Sequence, residues 1–459
     1  MKRELLKEIP SIQELLLEFR DWETRLDKKY LKSVIQSVVN RVREAILREE
    51  LPDAKAVGKA VRNGITEKLN ELTQLRMRRV INATGIILHT NLGRAPLAEN
   101  ARQHLMEIIE NYNNLEIELD SGKRGNRISI VEERLCLITG AEEALIVNNN
   151  ASAILLALNS LCQGREVPVS RGELVEIGGS FRMPEVMKAS GAVMVEVGTT
   201  NKTHLKDYRD AINAHTAAIL KVHTSNYRVL GFTKSVPIRE LVELAHSHGL
   251  PVIYDMGSGV IEDLQKWGYP HEPVAREYVE AGVDVITFSG DKILGGPQAG
   301  VIIGKGEYIR KIKQNHLLRA LRCDKLTYSL MDATLQLYLK PEELPRTLPV
   351  ARMLNLSQEE LKRRGEKLAR EIAHPNLQVE VQETYSQMGS GALPLEKIPS
   401  VGIRIVPRHI SLARFARRLR LGEPAVVGYI ENEAFWLNLR TVREDELDMI
   451  TRAVRNAAE

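Results

Sequence analysis

Three short polar segments of this 459-residue chain each follow an apolar run that is typical of a buried strand. The first, residues 284–298 (DVITFSGDKILGGPQ), places Ser289 and Lys292 just past such a strand. Ligands of open α/β sheets bind at the carboxyl ends of the strands. A lysine that is desolvated there loses its proton and can attack an aldehyde, so Lys292 is a candidate for Schiff-base formation. The alternative is a surface lysine in a glycine loop.

The other two segments supply complementary groups. Residues 254–259 (YDMGSG) put Asp255 at a strand end, where a carboxylate can keep a pyridine nitrogen protonated and make the ring an electron sink. Residues 147–153 (VNNNASA) lead from a strand into the predicted helix 154–161, and backbone N–H groups at a helix N-terminus bind phosphate. Taken singly, the aspartate segment could be a turn and the asparagine segment a helix cap.

Composition excludes several classes of protein. Charged residues make up 27% and aromatic residues 5%, which fits a globular chain but argues against a surface that stacks many nucleic-acid bases. The three cysteines, Cys136, Cys162 and Cys323, are far apart, so we expect neither a disulfide framework nor a metal site. The N-terminus does not resemble a signal peptide and no apolar run reaches ~18 residues, so we expect a protein of the reducing cytoplasm.

The first of three predicted domains, residues 1–78, is all-helical and basic. Ser11 and Glu14 form a capping pattern, and apolar residues then recur at helical spacing through Leu69. Residues 1–80 hold 18 Lys and Arg against 13 Asp and Glu, whereas the rest of the chain holds 46 against 47. The net charge of +4 therefore resides in this domain, either as a solvated helical face or as a surface for a polyanion.

The remaining chain divides near residue 340. In residues 79–340, apolar strands at 145–147, 193–195, 218–222, 251–254, 284–288 and 300–303 alternate with amphipathic helices. This pattern predicts a parallel sheet that is covered on both faces. Residues 341–459 alternate helices at 358–373 and 411–420 with strands at 377–381, 400–406 and 434–439, and a last helix starts at Glu444, which predicts a small α+β domain.

The chain order of phosphate loop, strand-end aspartate and strand-end lysine is that of aspartate-aminotransferase-like, fold type I pyridoxal-phosphate enzymes. Five segments resemble the bacterial L-seryl-tRNA(Sec) selenium transferase (selenocysteine synthase) family, and the resemblance extends over the whole chain: 82–97 (NATGIILHTNLGRAPL), 120–127 (DSGKRGNR), 171–184 (RGELVEIGGSFRMP), 223–232 (HTSNYRVLGF) and 289–292 (SGDK). The resemblance implies an α/β, fold type I transferase with an N-terminal helical domain and a small C-terminal domain.

The resemblance also implies a reaction and a cofactor. Members of the family convert L-seryl-tRNA(Sec) to L-selenocysteinyl-tRNA(Sec) with selenophosphate, through a pyridoxal 5'-phosphate aldimine, elimination of water and selenium addition to an aminoacrylyl group. Lys292 is then the aldimine lysine and general base, and Asp255 is the partner of the ring nitrogen. The predicted cofactor-phosphate ligands are Asn149, Asn150, Ala151 and Ser289, and either His223 or Phe181 stacks on the ring, unless these two are core residues.

Clustered arginines supply a second anion site. Segment 305–325 has seven basic residues, and Arg319 and Arg322 lie one helical turn apart if the segment is helical. With Arg94 they match the selenophosphate arginines of the family, and paired guanidinium groups suit such an oxyanion. Arg124 and Arg127 either enter the site or lie in a turn. Cys323 could have a lowered pKa beside these arginines, but nothing in the reaction requires a thiol.

The family match assigns tRNA binding to the helical domain, where the candidate residues are Arg41, Arg43, Lys55, Lys59 and Arg62. A second basic run, residues 400–422, has six arginines and no acid, and could contact an acceptor arm, an adjoining subunit or only solvent. The family also implies a homo-oligomer, a ring of dimers. One alternative is a pyridoxal-phosphate lyase of free amino acids. The other is a non-catalytic tRNA-binding protein, which would not need Lys292 and Asp255 together.

Overall fold

The computed structural model describes residues 2–178, 181–224, 227, 229–390, 393 and 396–459. Contacts within the chain divide it into two compact units, Met1–Arg79 and Val80–Glu459. Across the described ranges, every helix is too short or too polar to cross a membrane.

The first unit is helical, and its helices are α1 (Lys2–Lys7), α2 (Ile12–Glu18), α3 (Lys28–Leu47) and α4 (Ala54–Thr73). The predicted capping pattern is confirmed, because Ser11 Oγ accepts a bond from the backbone N–H of Glu14 and the Glu14 carboxylate accepts one from the backbone N–H of Ser11. This reciprocal bonding satisfies two donors that the first turn of α2 would otherwise leave unpaired.

Helices α3 and α4 pack through the apolar stripes that the sequence predicts. The buried residues recur every three or four positions and are Leu31, Val34, Ile35, Val38, Val39, Val42 and Ile46 on α3 and Val57, Val61, Ile65 and Leu69 on α4. Gly64 permits the close approach, since a Cβ there would lie 2.9 Å from Val38 Cγ1. The charged residues are consequently left on the outer faces of this unit.

The second unit is built on a twisted sheet with the strand order β2-β10-β9-β8-β7-β3-β6. The strands up to residue 304 are β1 (Val80–Asn82), β2 (Glu143–Val147), β3 (Glu166–Ser170), β4 (Glu176–Ile177), β5 (Phe181–Arg182), β6 (Val193–Val197), β7 (Ile219–Val222), β8 (Val252–Gly257), β9 (Val285–Ser289) and β10 (Gly300–Gly304). Each predicted strand of this part is present, and β1, β3, β4 and β5 are additional strands. The central strands are buried on both faces, which explains their continuous apolar sequence.

The sheet is mixed, so the prediction of a wholly parallel sheet is wrong. Strands β9, β8, β7, β3 and β6 run parallel, whereas β10 is antiparallel to both β9 and β2. The connection from Ser289 to Gly300 contains no helix. A parallel return requires a crossover of a dozen or more residues, usually a helix, and this short loop cannot supply one.

Helices cover the sheet and join its strands. Up to residue 355 they are α5 (Glu99–Glu110), α6 (Ser129–Thr139), α7 (Asn150–Cys162), α8 (Met183–Ser190), α9 (Leu205–Ala211), α10 (Ile238–Ser247), α11 (Ala275–Glu280), α12 (Gly306–Gln314), α13 (Leu318–Leu321), α14 (Lys325–Leu337), α15 (Leu344–Thr347) and α16 (Pro349–Asn355). Two apolar clusters lie against the sheet, and they hold the carboxyl ends of β7, β8 and β9 in a fixed relation.

The C-terminal part forms a separate antiparallel sheet with the order β11-β12-β15-β14. Its elements are α17 (Gln358–Glu371), β11 (Leu377–Ser386), β12 (Ile398–Pro407), α18 (Leu412–Leu421), β13 (Ala425–Val427), β14 (Tyr429–Glu431), β15 (Ala434–Asn438) and α19 (Leu447–Ala458). The predicted α+β pattern is confirmed, with β11 and β12 longer and β15 one residue shorter than expected, and with β13 and β14 as additional strands. Strand β1 pairs in parallel with β13 and joins the start of the unit to this part.

Candidate active site

Lys292 lies three residues beyond β9 and is only 5% exposed. Burial lowers the pKa of its amine, the nearby charge of Arg94 lowers the pKa further, and Asp255 and Asp291 oppose this shift. Arg94 Nη1 donates a hydrogen bond of 2.8 Å to Asp291 Oδ2, which holds the arginine beside the lysine. Lys292 therefore becomes a neutral nucleophile at a lower pH than an exposed lysine does.

Asp255 lies on β8 in the neighbouring strand and is also 5% exposed. Its Oδ1 accepts hydrogen bonds from Asn150 Nδ2 at 2.7 Å and from Thr287 Oγ1 at 3.3 Å. Burial raises the pKa of this carboxyl group, whereas the Asn150 bond, the Lys292 charge, the Thr287 bond and His223 oppose the rise. These partners favour a buried carboxylate that can accept a proton or hold one on a basic nitrogen.

The loop between β2 and α7 carries the predicted phosphate ligands. Asn149 caps α7, because its Oδ1 accepts a bond of 2.8 Å from the backbone N–H of Ser152, and the Asn150 amide bonds to Asp255. Both side chains thus have other partners, so the phosphate site that remains is the first turn of the helix. Among the described residues, the backbone N–H groups of Asn150 and Ala151 have no hydrogen-bond partner.

Strand β10 supports this loop at close range. A Cβ on Gly300 would lie 2.1 Å from the backbone oxygen of Asn149, so a larger residue would push the loop away. Ser289, which is 6% exposed, is paired with Gly300 across β9 and β10. The structure therefore brings Ser289, Asn149, Asn150 and Ala151 to one edge of the sheet.

His223 and Phe181, the two predicted ring-stacking residues, have different surroundings. His223 follows β7, its backbone N–H donates to the backbone oxygen of Asp255 at 2.9 Å, and its Nε2 lies 3.5 Å from Glu272 Oε2. Phe181 packs against the apolar cluster that includes Met183 and Met187. The structure thus brings His223 to Asp255 and gives Phe181 the surroundings of a core residue.

Arg319 and Arg322 line a second cavity of about 310 Å³ together with Arg127 and Glu116. Arg127 donates to Glu116 through two nitrogens and to the backbone oxygen of Cys323 at 2.7 Å, and Arg322 Nη1 lies 3.4 Å from Glu116 Oε1. Hydrogen bonding to Arg127 and the surrounding arginine charges lower the pKa of Glu116. The cavity thus concentrates guanidinium groups around a single carboxylate.

The segment that carries these arginines is broken into α12, α13 and the start of α14, so it is not one helix. Arg319 lies in α13 and Arg322 is the C-cap residue of that helix. The backbones of Val147 and Arg322 form a bridge, and Leu321 O accepts from the N–H of Asn148, so this cavity borders the loop before α7. Burial raises the pKa of Cys323 to about 12, so the idea of a lowered thiol pKa is wrong.

The family resemblance groups Arg94 with Arg319 and Arg322, but in the structure Arg94 pairs with Asp291 beside Lys292. No hydrogen bond or ion pair joins it to the other two among the described residues. Sequence reasoning missed Glu116, Glu272, Thr287 and Asp291 as parts of these sites. Only Asp291 carried a local signal, because it adjoins Lys292; the others are close only through the tertiary structure.

The basic candidates of the helical unit, Arg41, Arg43, Lys55, Lys59 and Arg62, are all exposed. Arg62 pairs with Glu18, whereas Lys55 and Lys59 have no ion pair with any described residue. In the C-terminal basic run, four arginines are exposed, while Arg404 pairs with Glu380 and Arg418 donates to Ala457 O. Within the described ranges, no group of three or more His, Cys, Asp or Glu side chains could hold a metal ion.

Comparisons with known proteins agree with this geometry. A family model described as L-seryl-tRNA selenium transferase matches residues 80–443. The L-seryl-tRNA(Sec) selenium transferase of Carboxydothermus hydrogenoformans is 47% identical over 452 residues, which cover 98% of this chain and 97% of that protein. The protein of the same name from Geotalea daltonii is 45% identical over 460 residues, which cover 98% of this chain and 99% of that protein.

A solved structure of D-glucosaminate-6-phosphate ammonia-lyase has a similar fold, with a TM-score of 0.57 and 22% identity over 85% of this chain and 98% of that chain. Together with the family match, this similarity confirms the predicted α/β, fold type I class of pyridoxal-phosphate enzymes. The chain belongs to the L-seryl-tRNA selenium transferase family.

Proposed function

We propose that this protein converts L-seryl-tRNA(Sec) to L-selenocysteinyl-tRNA(Sec), with selenophosphate as the selenium donor. The observation that carries the proposal is the pairing of two sites around one loop. Asp255, whose pKa is influenced by the charge of Lys292, bonds to Asn150 on one side of the loop, and the arginine cavity borders the loop through Asn148 on the other. A lyase of free amino acids would need the first site but not the second.

Pyridoxal 5'-phosphate is the cofactor of the family, and the residues present fit it. The site offers a buried amine with a lowered pKa, a buried carboxylate and a helix N-terminus with unpaired N–H groups. The buried Oδ1 of Asn150 also has no hydrogen-bond partner among the described residues. Lys292 would hold the aldehyde, Asp255 the ring nitrogen, and Asn150, Ala151 and Ser289 the phosphate.

When bound, the cofactor acts as an electron sink that makes the α-proton and the β-hydroxyl of serine labile. The chain's own residues then handle protons. Lys292, whose pKa is lowered by burial, takes the proton from the α-carbon. Asp255, held as a carboxylate by Asn150 and Thr287, keeps the ring nitrogen protonated. The 5% exposure of both side chains excludes water that would otherwise compete for these protons.

Selenophosphate would bind to Arg319 and Arg322 in the arginine cavity, with Arg94 acting beside Lys292. Guanidinium forks bind the oxygens of a phosphate-like anion in pairs, which orients its remaining substituent. The cavity of about 310 Å³ is large enough for such a small anion. Arg127 is a further member of this group, because it shares Glu116 with Arg322.

The helical unit would bind the tRNA. Its surplus of positive charge supplies salt-dependent contacts to phosphates, and the candidates without an ion-pair partner among the described residues are Arg41, Arg43, Lys55 and Lys59. Such contacts read the shape of a folded RNA and need few aromatic side chains. We place the reaction in the cytoplasm, where aminoacyl-tRNA is used.

We further propose a homo-oligomer. Exposed apolar side chains gather on and beside the packed pair of helices α5 and α14: Met106, Ile109, Tyr112, Leu326 and Leu339. An apolar surface of this kind is typical of a protein interface. The molar mass from light scattering tests this point, and a mass of 51.6 kDa at micromolar concentration would contradict it.

The decisive experiment is a selenium-transfer assay of the full-length protein with selenophosphate. Seryl-tRNA(Sec), seryl-tRNA(Ser) and free serine are compared at equal concentration. We expect selenocysteine only on tRNA(Sec). Equal conversion of the two tRNAs would overturn the proposed specificity for tRNA(Sec). Conversion of free serine with no tRNA product would favour the alternative of an amino-acid lyase.

A further inference from the structure

Glu272 is a buried carboxylate that the mechanism above does not use. The residue is 4% exposed, and it lies between His271 and Pro273 in the connection between β8 and α11. Its one ion-pair partner among the described residues is His223, with 3.5 Å between Glu272 Oε2 and His223 Nε2. A buried carboxylate without a partner is costly, and His223 is the partner that the described contacts supply.

His223 in turn is tied to the cofactor site from its backbone. Its N–H donates to the backbone oxygen of Asp255 at 2.9 Å, and its charge acts to lower the pKa of Asp255. The imidazole is held at one end by Glu272, which favours a proton on Nε2. Its Nδ1 has no hydrogen-bond partner among the described residues, and a quarter of the side chain is exposed. Nε2 is thus fixed by Glu272, whereas Nδ1 is left open to a further hydrogen-bond partner.

We infer that Glu272 is a positioning residue that orients the His223 imidazole against the cofactor site. A separation of 3.5 Å is longer than a well-formed N–H···O bond, so the contact acts mainly through charge. Glu272 touches neither Lys292 nor Asp255 in any described contact, and it therefore acts through His223. The inference rests on the part of the proposed function that concerns cofactor binding, and it does not depend on the proposed selenium transfer.

The chain supplies a matched control for the test. Glu277 lies in α11, on the same stretch of chain, and pairs with His271 at 3.3 Å, but both side chains of this pair are more than 40% exposed. Glu277→Gln thus removes a Glu–His pair of similar geometry in solvent. An exposed pair contributes little, so this substitution reports the general effect of losing one acid in this region.

The experiment titrates the full-length apoenzyme with pyridoxal 5'-phosphate and follows visible absorbance and circular dichroism. We expect Glu272→Gln to weaken cofactor binding about three- to tenfold, which is in the lower part of the range for coupled residues in contact, and to change the dichroism of the bound cofactor. Glu277→Gln should stay within about twofold of the wild type. Glu272→Asp, which keeps the buried charge, should give a dissociation constant between those of the wild type and Glu272→Gln.

A double-mutant cycle separates positioning from general structural support. In a His223→Gln background, Glu272→Gln should weaken cofactor binding by less than about twofold, because the histidine that it orients is absent. An equal loss in both backgrounds would overturn the inference, as would a Glu277→Gln effect as large as that of Glu272→Gln. Normal cofactor binding by both Glu272 variants would overturn it as well. Selenium transfer is not measured, so failure here leaves the proposed function untouched.

Discussion

The side chains of Lys292 and Asp255 are buried, whereas those of Arg319 and Arg322 are partly open to solvent, although the two sites border the same loop. Lys292 and Asp255 are each 5% exposed, while Arg319 is exposed and the Arg322 side chain is 31% exposed. Burial shifts the pKa of the lysine and the aspartate toward each other. In the arginine cavity, by contrast, the guanidinium groups stay charged, and the number of arginines determines how well an anion is held.

The comparison teaches that the two sites use electrostatics differently. In a buried site a single neighbour strongly changes the protonation state, because little water screens it. In an open site each contact is screened, so several guanidinium groups are needed to hold one small anion. Substitutions should therefore change chemistry near Lys292 and affinity near Arg322.

The largest effect is expected for Lys292→Ala. Loss of a general base costs about 10²–10⁴-fold in rate, and this lysine also holds the cofactor, so we expect selenium transfer to fall at least ~10³-fold. The visible absorbance of the protein after gel filtration should be lost as well. Lys188→Ala, an exposed lysine of α8, is the control. If the Lys292→Ala variant retained a tenth of the activity, the role of Lys292 as general base and cofactor-binding residue would be contradicted.

Arg319→Ala and Arg322→Ala should change affinity while sparing the cofactor. A hydrogen bond to a charged group contributes about 1.5–3 kcal/mol, so the KM for selenophosphate should rise roughly 10–100-fold. Steady-state kinetics and the visible spectrum are measured together. Lys311→Ala, an exposed change on α12, should leave both unaltered. A lost spectrum would instead assign the arginine to the cofactor site.

Asn150→Ala tests how the buried aspartate stays ionised. The Asn150 bond lowers the pKa of Asp255, so its removal raises that pKa, by about one unit if the bond contributes ~1.5 kcal/mol. Asp255 acts as a carboxylate, and activity is lost as the pH falls through its pKa. The acid limb of the kcat–pH profile should thus move to higher pH.

The comparator for Asn150→Ala is Thr287→Val, which removes the longer bond of 3.3 Å. It should move the acid limb in the same direction by a smaller amount. An unchanged acid limb in Asn150→Ala, or a shift to lower pH, would contradict the assignment of that limb to Asp255.

The smallest effect is expected for Glu116→Gln in the arginine cavity. Glu116, whose side chain is one-third exposed, competes with an incoming anion for Arg127 and Arg322, and a solvent-screened ion pair contributes about 0.2–1 kcal/mol. We expect the KM for selenophosphate to fall by up to about fivefold. Glu118→Gln, an exposed acid bonded to Ser121, is the control. A rise in KM would mean that Glu116 orients the arginines more than it competes with selenophosphate.

Much of the fold follows from local patterns. Continuous apolar runs bounded by glycine and polar residues indicate the buried strands, and the helical periodicity of residues 31–69 indicates the buried faces of α3 and α4. The direction of β10 could not be predicted this way, because a buried strand has the same composition in either direction. The short connection after Ser289 was the only available sign.

The sequence by itself determined the family, the order of phosphate loop, aspartate and lysine, and the basic character of the helical unit. Only the tertiary structure decided which groups set the chemistry of these residues. It places Asn150 in contact with Asp255, Glu116 with Arg127, and Glu272 with His223. These pairs are separated by 105, 11 and 49 positions in the sequence. The pKa of a buried group depends on the polar atoms within a few ångströms of it, and chain packing rather than local sequence determines those neighbours.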